Sequence, residues 1–93
     1  DNDSISVAYL AENYQEFVNT NVNVTGYIYS AYTNYFYLTD EYIEYKIKVY
    51  TNESKQFEKG ERVYVKALFF YNPKSFNFCL KLCQDFHKVG KYD

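Results

Sequence analysis

Tyrosine and lysine alternate with apolar residues in three short runs of this chain: Val22 to Tyr29, Tyr35 to Thr39 and Ile43 to Tyr50. A strand sends successive side chains to opposite faces. Read that way, the runs bury Val22, Val24, Ile28, Phe36, Leu38, Ile43, Ile47 and Val49, and turn Tyr27, Tyr29, Tyr35, Tyr37, Lys46, Lys48 and Tyr50 outward. Phenolic rings on an open sheet can stack on unpaired bases, and ammonium groups between them can meet the phosphates that join those bases. The expected stacking residues on these runs are Tyr29, Tyr35, Tyr37 and Tyr50, and the expected phosphate contacts are Lys46 and Lys48. A plainer reading stands beside this one. Tyrosine is a good β-former, and the same rings can serve only as cross-strand pairs worth roughly 0.2 to 1 kcal/mol each.

Five strands and a helix are needed to position these groups. Ser4 or Ser6 can cap a helix whose apolar positions, Val7, Leu10, Tyr14, Phe17 and Val18, recur every three or four residues, ending near Asn19. A strand from Val22 to about Tyr29 follows, interrupted by Gly26, a residue that inside a strand marks a bulge or bend. Tyr35 to Thr39 and Ile43 to Tyr50 form a hairpin that turns at Asp40-Glu41. Phe57 stands alone in a polar stretch and plugs one end of the core. The turn Lys59-Gly60-Glu61 leads into a strand from Arg62 to Phe69 with Val63, Val65, Ala67 and Phe69 inward. After a loop at Tyr71 to Ser75, a last strand from Phe76 to about Gln84 turns Phe78, Leu80 and Leu82 inward, and Phe86 and Val89 can pack back from the tail.

With 93 residues the chain is one domain, residues 1–93, near the lower size limit for a self-sufficient core. Thirteen Tyr and eight Phe offset that smallness, since each ring buries roughly 150 to 250 Å². The net charge of −2 disfavours a DNA-coating protein, but its distribution is uneven. Residues 1–45 carry seven acids and no Lys or Arg, while residues 46–93 carry all ten bases and five acids, so the halves stand at −7 and +5. One face can therefore be basic, or both sets can be ordinary solvated surface.

Cys79 and Cys83 lie four residues apart on one expected strand, roughly 13 Å between Cα atoms. A disulfide needs less than about 7 Å, so the two are not expected to pair. The longest apolar run, Ala67 to Tyr71, is too short to cross a bilayer. No leader is visible, and since the chain opens on Asp1 rather than Met, that does not fix its compartment.

Short strands at close spacing, rich in aromatics, suggest a small closed barrel. The runs Leu10-Ala11-Glu12-Asn13 with Phe17, Val22-x-Val24-Thr25-Gly26-x-Ile28, and Phe57-x-Lys59-Gly60-Glu61-x-Val63-x-Val65-Lys66-Ala67 resemble OB-fold domains of the anticodon-binding-like group. Ala67 departs from the glycine common there, which questions the bend in that strand. The resemblance implies a mainly β, five-stranded OB-fold-type barrel with an N-terminal helix, of a kind that typically binds single-stranded nucleic acid. In such barrels the groove crosses strands two and three between the loops that join strands one to two and four to five. Mapped onto this chain, the resemblance sets Tyr32 beside the first loop and Tyr71, Lys74 and Phe76 beside the second, which adds Tyr71 to the expected stacking residues and Lys66 and Lys74 to the expected phosphate contacts.

Other chemistry finds little footing. Asp40, Glu41 and Glu44 lack the alternating ligand pattern of a calcium loop and read as solvated turn charges, at the rim of the groove where they would repel phosphate. His87 has no nucleophile or paired carboxylate at a catalytic spacing, and three isolated glycines make no phosphate-cradling loop. No enzyme activity, metal or cofactor is expected. The alternative to nucleic acid is a protein partner or a second copy, bound on the aromatic face or along an open barrel edge. Salt separates the two, because counterion release makes oligonucleotide binding steeply salt-dependent.

Overall fold

The computed structural model describes residues 4–52, 54–75 and 77–89. The chain starts with a two-residue strand, β1 (Ile5–Ser6), and a short helix, α1 (Val7–Glu12). Ser6 caps that helix, its hydroxyl accepting from the Tyr9 N–H at 3.0 Å. The helix does not run on to Asn19 as its periodicity suggests. It breaks at Asn13, whose backbone N–H and side-chain Nδ2 both donate to the Tyr9 carbonyl, at 3.0 and 2.9 Å. Asparagine competes in this way with helical hydrogen bonding. A single further turn, α2 (Tyr14–Phe17), precedes Asn19 at φ +66°.

The barrel comprises β2 (Asn21–Ala31), β3 (Tyr35–Thr39), β4 (Lys46–Tyr50), β5 (Arg62–Asn72) and β6 (Asn77–Lys88), with one 3₁₀ turn at Ser54–Gln56. Their order is β2-β3-β4-β6-β5, and β5 returns to pair with β2, which closes the ring. All contacts around it are antiparallel except β4 with β6, where Ile47 to Val49 run parallel to Phe78 to Leu80. This is the mainly β, OB-type barrel with a helix in front. β1 adds a parallel pairing of Ile5 and Ser6 with Val24 and Thr25, too short to leave a periodic trace in the sequence.

Alternation builds the core. Val22, Val24, Ile28, Phe36, Leu38, Ile47, Val49, Val63, Val65, Ala67, Phe69 and Leu80 are buried, and Phe57 closes one end between Phe36 and Phe86 at ring distances of 5.2 and 6.0 Å.

Four further expectations are corrected. Ile43 is half exposed at φ +58° because β4 begins only at Lys46. Leu82 is also exposed, at φ +54°, where β6 bulges and three of its residues, Leu82 to Gln84, lie opposite Ala67 alone. The bend in question at Ala67 is thus supplied by the neighbouring strand. The last strand runs to Lys88 rather than Gln84, which brings Phe86 onto the core.

The fourth correction concerns Gly26, which marks no bulge, although β2 does pass from β5 to β3 at the next residue, Tyr27. The bulge lies further on, with Tyr29 the extra residue between the Ile28–Leu38 and Ser30–Tyr37 pairs. Gly26 instead admits the N-terminal segment: a Cβ there would sit 2.6 Å from Val7 Cγ2, 2.9 Å from Leu38 Cγ and 2.9 Å from the Thr39 carbonyl oxygen. Gly26→Ala is therefore expected to destabilise the domain by about 2 kcal/mol through overpacking. A urea melt would show this as a lower midpoint at unchanged slope. A midpoint equal to that of the parent protein would show that Val7 simply moves aside.

Candidate nucleic-acid interface

The antiparallel register of β3 and β4 sets Tyr35 opposite Tyr50, Tyr37 opposite Lys48 and Thr39 opposite Lys46. Opposed residues share a face. Lys48 extends its Nζ between two rings, 4.4 Å from the centre of Tyr35 and 4.8 Å from that of Tyr50. Its pKa is raised, chiefly by its side-chain hydrogen bond with Tyr50 and further by the nearness of Tyr37 and Tyr35, so the ammonium stays charged.

Tyr32, from the β2–β3 loop, stacks on Tyr35 at 4.8 Å and meets Tyr37 edge-on at 6.4 Å, and Tyr35 and Tyr37 meet edge-on at 5.8 Å. Tyr32 and Tyr50 are exposed, while Tyr35 and Tyr37 are half-buried by their neighbours. The loop carrying Tyr32 is held in place. Its N–H donates to the Tyr35 carbonyl at 2.9 Å, and the buried Ser54 hydroxyl lies 2.6 Å from the Tyr32 carbonyl and 3.0 Å from that of Tyr35. Nothing in the polar run around Ser54 singles it out, because its role depends on a contact 22 residues away.

Tyr29 forms a second centre. The bulge reorients its ring so that Lys46 Nζ stands 4.0 Å from the centroid and Lys59 Nζ 5.3 Å from it. Lys59 reaches this ring from the turn before β5, a pairing across 30 positions that strand alternation does not encode.

The fold thus brings together Tyr29, Tyr35, Tyr37, Lys46, Lys48 and Tyr50. It places the remaining three candidates elsewhere. Lys66 is exposed on β5, in register with Asn23 on one side and Asp85 on the other. Tyr71 packs its ring on Tyr14 at 4.6 Å and Phe78 at 5.0 Å, beside α2. Lys74 is exposed in the turn from β5 to β6, its N–H bonded to Asn72 Oδ1 at 3.0 Å. Phe76 lies outside the described residues.

Asp40 is not a solvated charge. It is buried, and its carboxylate accepts from the N–H groups of Glu44 and Tyr45, both at 2.8 Å, and of Tyr42 at 3.2 Å. Burial pushes the carboxyl upward, but the backbone N–H groups of Tyr45, Tyr42 and Glu44 outweigh it, and the pKa is lowered. The signal for this was present in the sequence, since aspartate at a strand end readily bonds the backbone just beyond it. Glu41 and Glu44 are exposed.

Among the described residues, no three His, Cys, Asp or Glu side chains converge to hold a metal, and no helix is long and apolar enough to cross a membrane. His87 is exposed, 3.6 Å from the Asp85 carboxylate. Both cysteines are free thiols, and burial raises both pKa values, that of Cys83 to about 11. Protonated thiols are poor nucleophiles.

No family model matches the chain, and no curated protein does. Solved structures do. One, described as an aspartyl-tRNA synthetase from Leishmania major Friedlin, is similar with a TM-score of 0.70 at 16% identity, over 92% of this chain and 20% of that one. The chain therefore spans a fifth of that protein's length, and at this identity the likeness is one of fold: an OB-type barrel of the kind found within a much larger protein.

Proposed function

We propose that this domain is a non-enzymatic module that binds single-stranded nucleic acid on the β3–β4 face, without strong sequence preference. The observation that carries the reading is the cluster of Tyr32, Tyr35, Tyr37 and Tyr50 around the charged Lys48. Rings fixed by one another and by the Ser54 hydroxyl lose little freedom when a base settles on them. Every base has a π-face, so stacking is tolerant of sequence. Two likenesses support the same reading: the sequence motifs resemble anticodon-binding-like OB domains, and the fold is similar to that of a protein described as a tRNA synthetase.

Fluorescence anisotropy of a labelled oligonucleotide at low salt tests it. Tyr37→Ala is expected to weaken binding about tenfold, within the roughly 1 to 3 kcal/mol that one base stack contributes. An oligonucleotide that fails to bind at micromolar protein would refute the reading.

A second reading, a protein partner, draws on one different observation. Beyond Leu80, β6 has no strand beside it on the β4 side among the described residues, and Leu82 is 72% exposed there. A peptide strand docked along that edge would bind with weak salt dependence, whereas an oligonucleotide would lose affinity steeply as salt rises.

A further inference from the structure

We propose that the binding path does not end at the sheet face but continues past Tyr29 into a two-part cleft beside the β5 entry, which takes one further nucleotide. The proposal rests on the nucleic-acid reading above and extends it.

Two adjoining hollows carry the argument. The first, about 290 Å³, is walled by Tyr27, Tyr29 and Ile43, with Asp40 and Glu41 at one side. The second, about 660 Å³, is bordered by Lys59, Arg62 and Lys88 together with Glu61. They share Tyr27, Lys59 and Gly60 and so lie side by side. One part offers rings and an aliphatic side chain. The other is lined by the side chains of Lys59, Arg62 and Lys88, with Glu61 bridging Lys88 at 3.1 Å.

This segregation matches the two ends of a nucleotide. A base is flat and apolar on its faces, and its phosphate is anionic. The carboxylates of Asp40 and Glu41 exclude phosphate from the apolar part, and Asp40 already directs its oxygens to backbone N–H groups. The phosphate must then lie in the cationic part, which fixes the direction in which the nucleotide enters. Ile43 serves as a wall only because the loop holds it at φ +58°, an uncommon conformation for a β-branched residue. Tyr29 is the junction between face and cleft, with Lys46 of the face and Lys59 of the cleft both close to its ring.

The test is the length dependence of binding. Anisotropy titrations would use oligothymidylates from about three to about ten nucleotides, a range that spans the shorter site sizes of an OB barrel. The parent domain is compared with Lys59→Glu and Tyr27→Ala, each checked by a thermal melt. Both variants are expected to lose most on the longest strands, about tenfold, and least on the shortest. Lys59→Glu should also lower the salt slope for long strands by about one phosphate. Equal losses at every length, or none, would overturn the extension and leave the sheet-face reading standing. Failure of the parent domain to bind any strand would overturn both.

Discussion

Replacing Tyr35 with alanine and Lys48 with glutamate in one variant is expected to lower oligonucleotide affinity by about 100-fold or more while the barrel stays folded. Tyr35 is the centre of the face: Tyr32 stacks on it, Tyr37 meets its edge and the Lys48 ammonium lies over it. Its removal deletes one stacking platform, roughly 1 to 3 kcal/mol, and loosens the neighbouring one. Reversal of Lys48 replaces an attraction to phosphate by a repulsion. Neither side chain belongs to the buried core, so the folding cost is that of lost cross-strand pairs, on the order of 1 kcal/mol each at most. The melting temperature should therefore fall by only a few degrees per kcal/mol lost, about 4 to 8 °C for a domain of this size. Paired anisotropy and thermal titrations decide the matter. Affinity within about threefold of the parent, with the fold intact, would show that the strand binds elsewhere.

Asp40→Ala is expected to be the most damaging change outside the apolar core, destabilising the domain by about 3 to 4 kcal/mol. Hydrogen bonds to a charged group contribute roughly 1.5 to 3 kcal/mol each, less than additively. Alanine would leave the N–H groups of Glu44, Tyr45 and Tyr42 without their shared acceptor. The same carboxylate gives a pH signature. Its pKa in the folded protein is lowered, so its contribution is present above the unfolded value near 4 and is lost as pH falls through the folded value. Urea melts from pH 6 downward should show stability declining below about pH 4, less so in Asp40→Asn, which has no proton to take up. Identical acid profiles for the two proteins would remove Asp40 from the account.

Much of the barrel was legible because alternation and burial coincide. Val22, Val24, Ile28, Phe36, Leu38, Ile47 and Val49 are all buried as the two-residue period requires. Phe57, an isolated ring in a polar stretch, also lies where its isolation implied.

The period failed where the backbone leaves the regular strand. Ile43 and Leu82 fit the pattern by count, but both have positive φ and point outward. Loop geometry, not hydrophobicity, decided those positions. The candidate site was half legible for a related reason. The face on β3 and β4 follows from local register, so its members could be named from spacing. Tyr71 sits at a strand end where α2 reaches back over it, and Lys59 joins Tyr29 only through the closure of the ring. Contacts of that kind belong to topology, and a one-dimensional period does not carry them.

The seam between β4 and β6 has a consequence for how the molecule comes apart. Among the described residues, seven pairs hold β2 to β5 and three hold β4 to β6. Partial opening releases the fewest bonds along that seam. The cylinder would then unroll with β3 and β4 still paired, baring Ile47, Val49 and Leu80 while the ladder beneath the tyrosines stays whole. The surface offered to a ligand would outlive the interior that supports it, and a bound strand lying across β3 and β4 would do little to keep the seam shut.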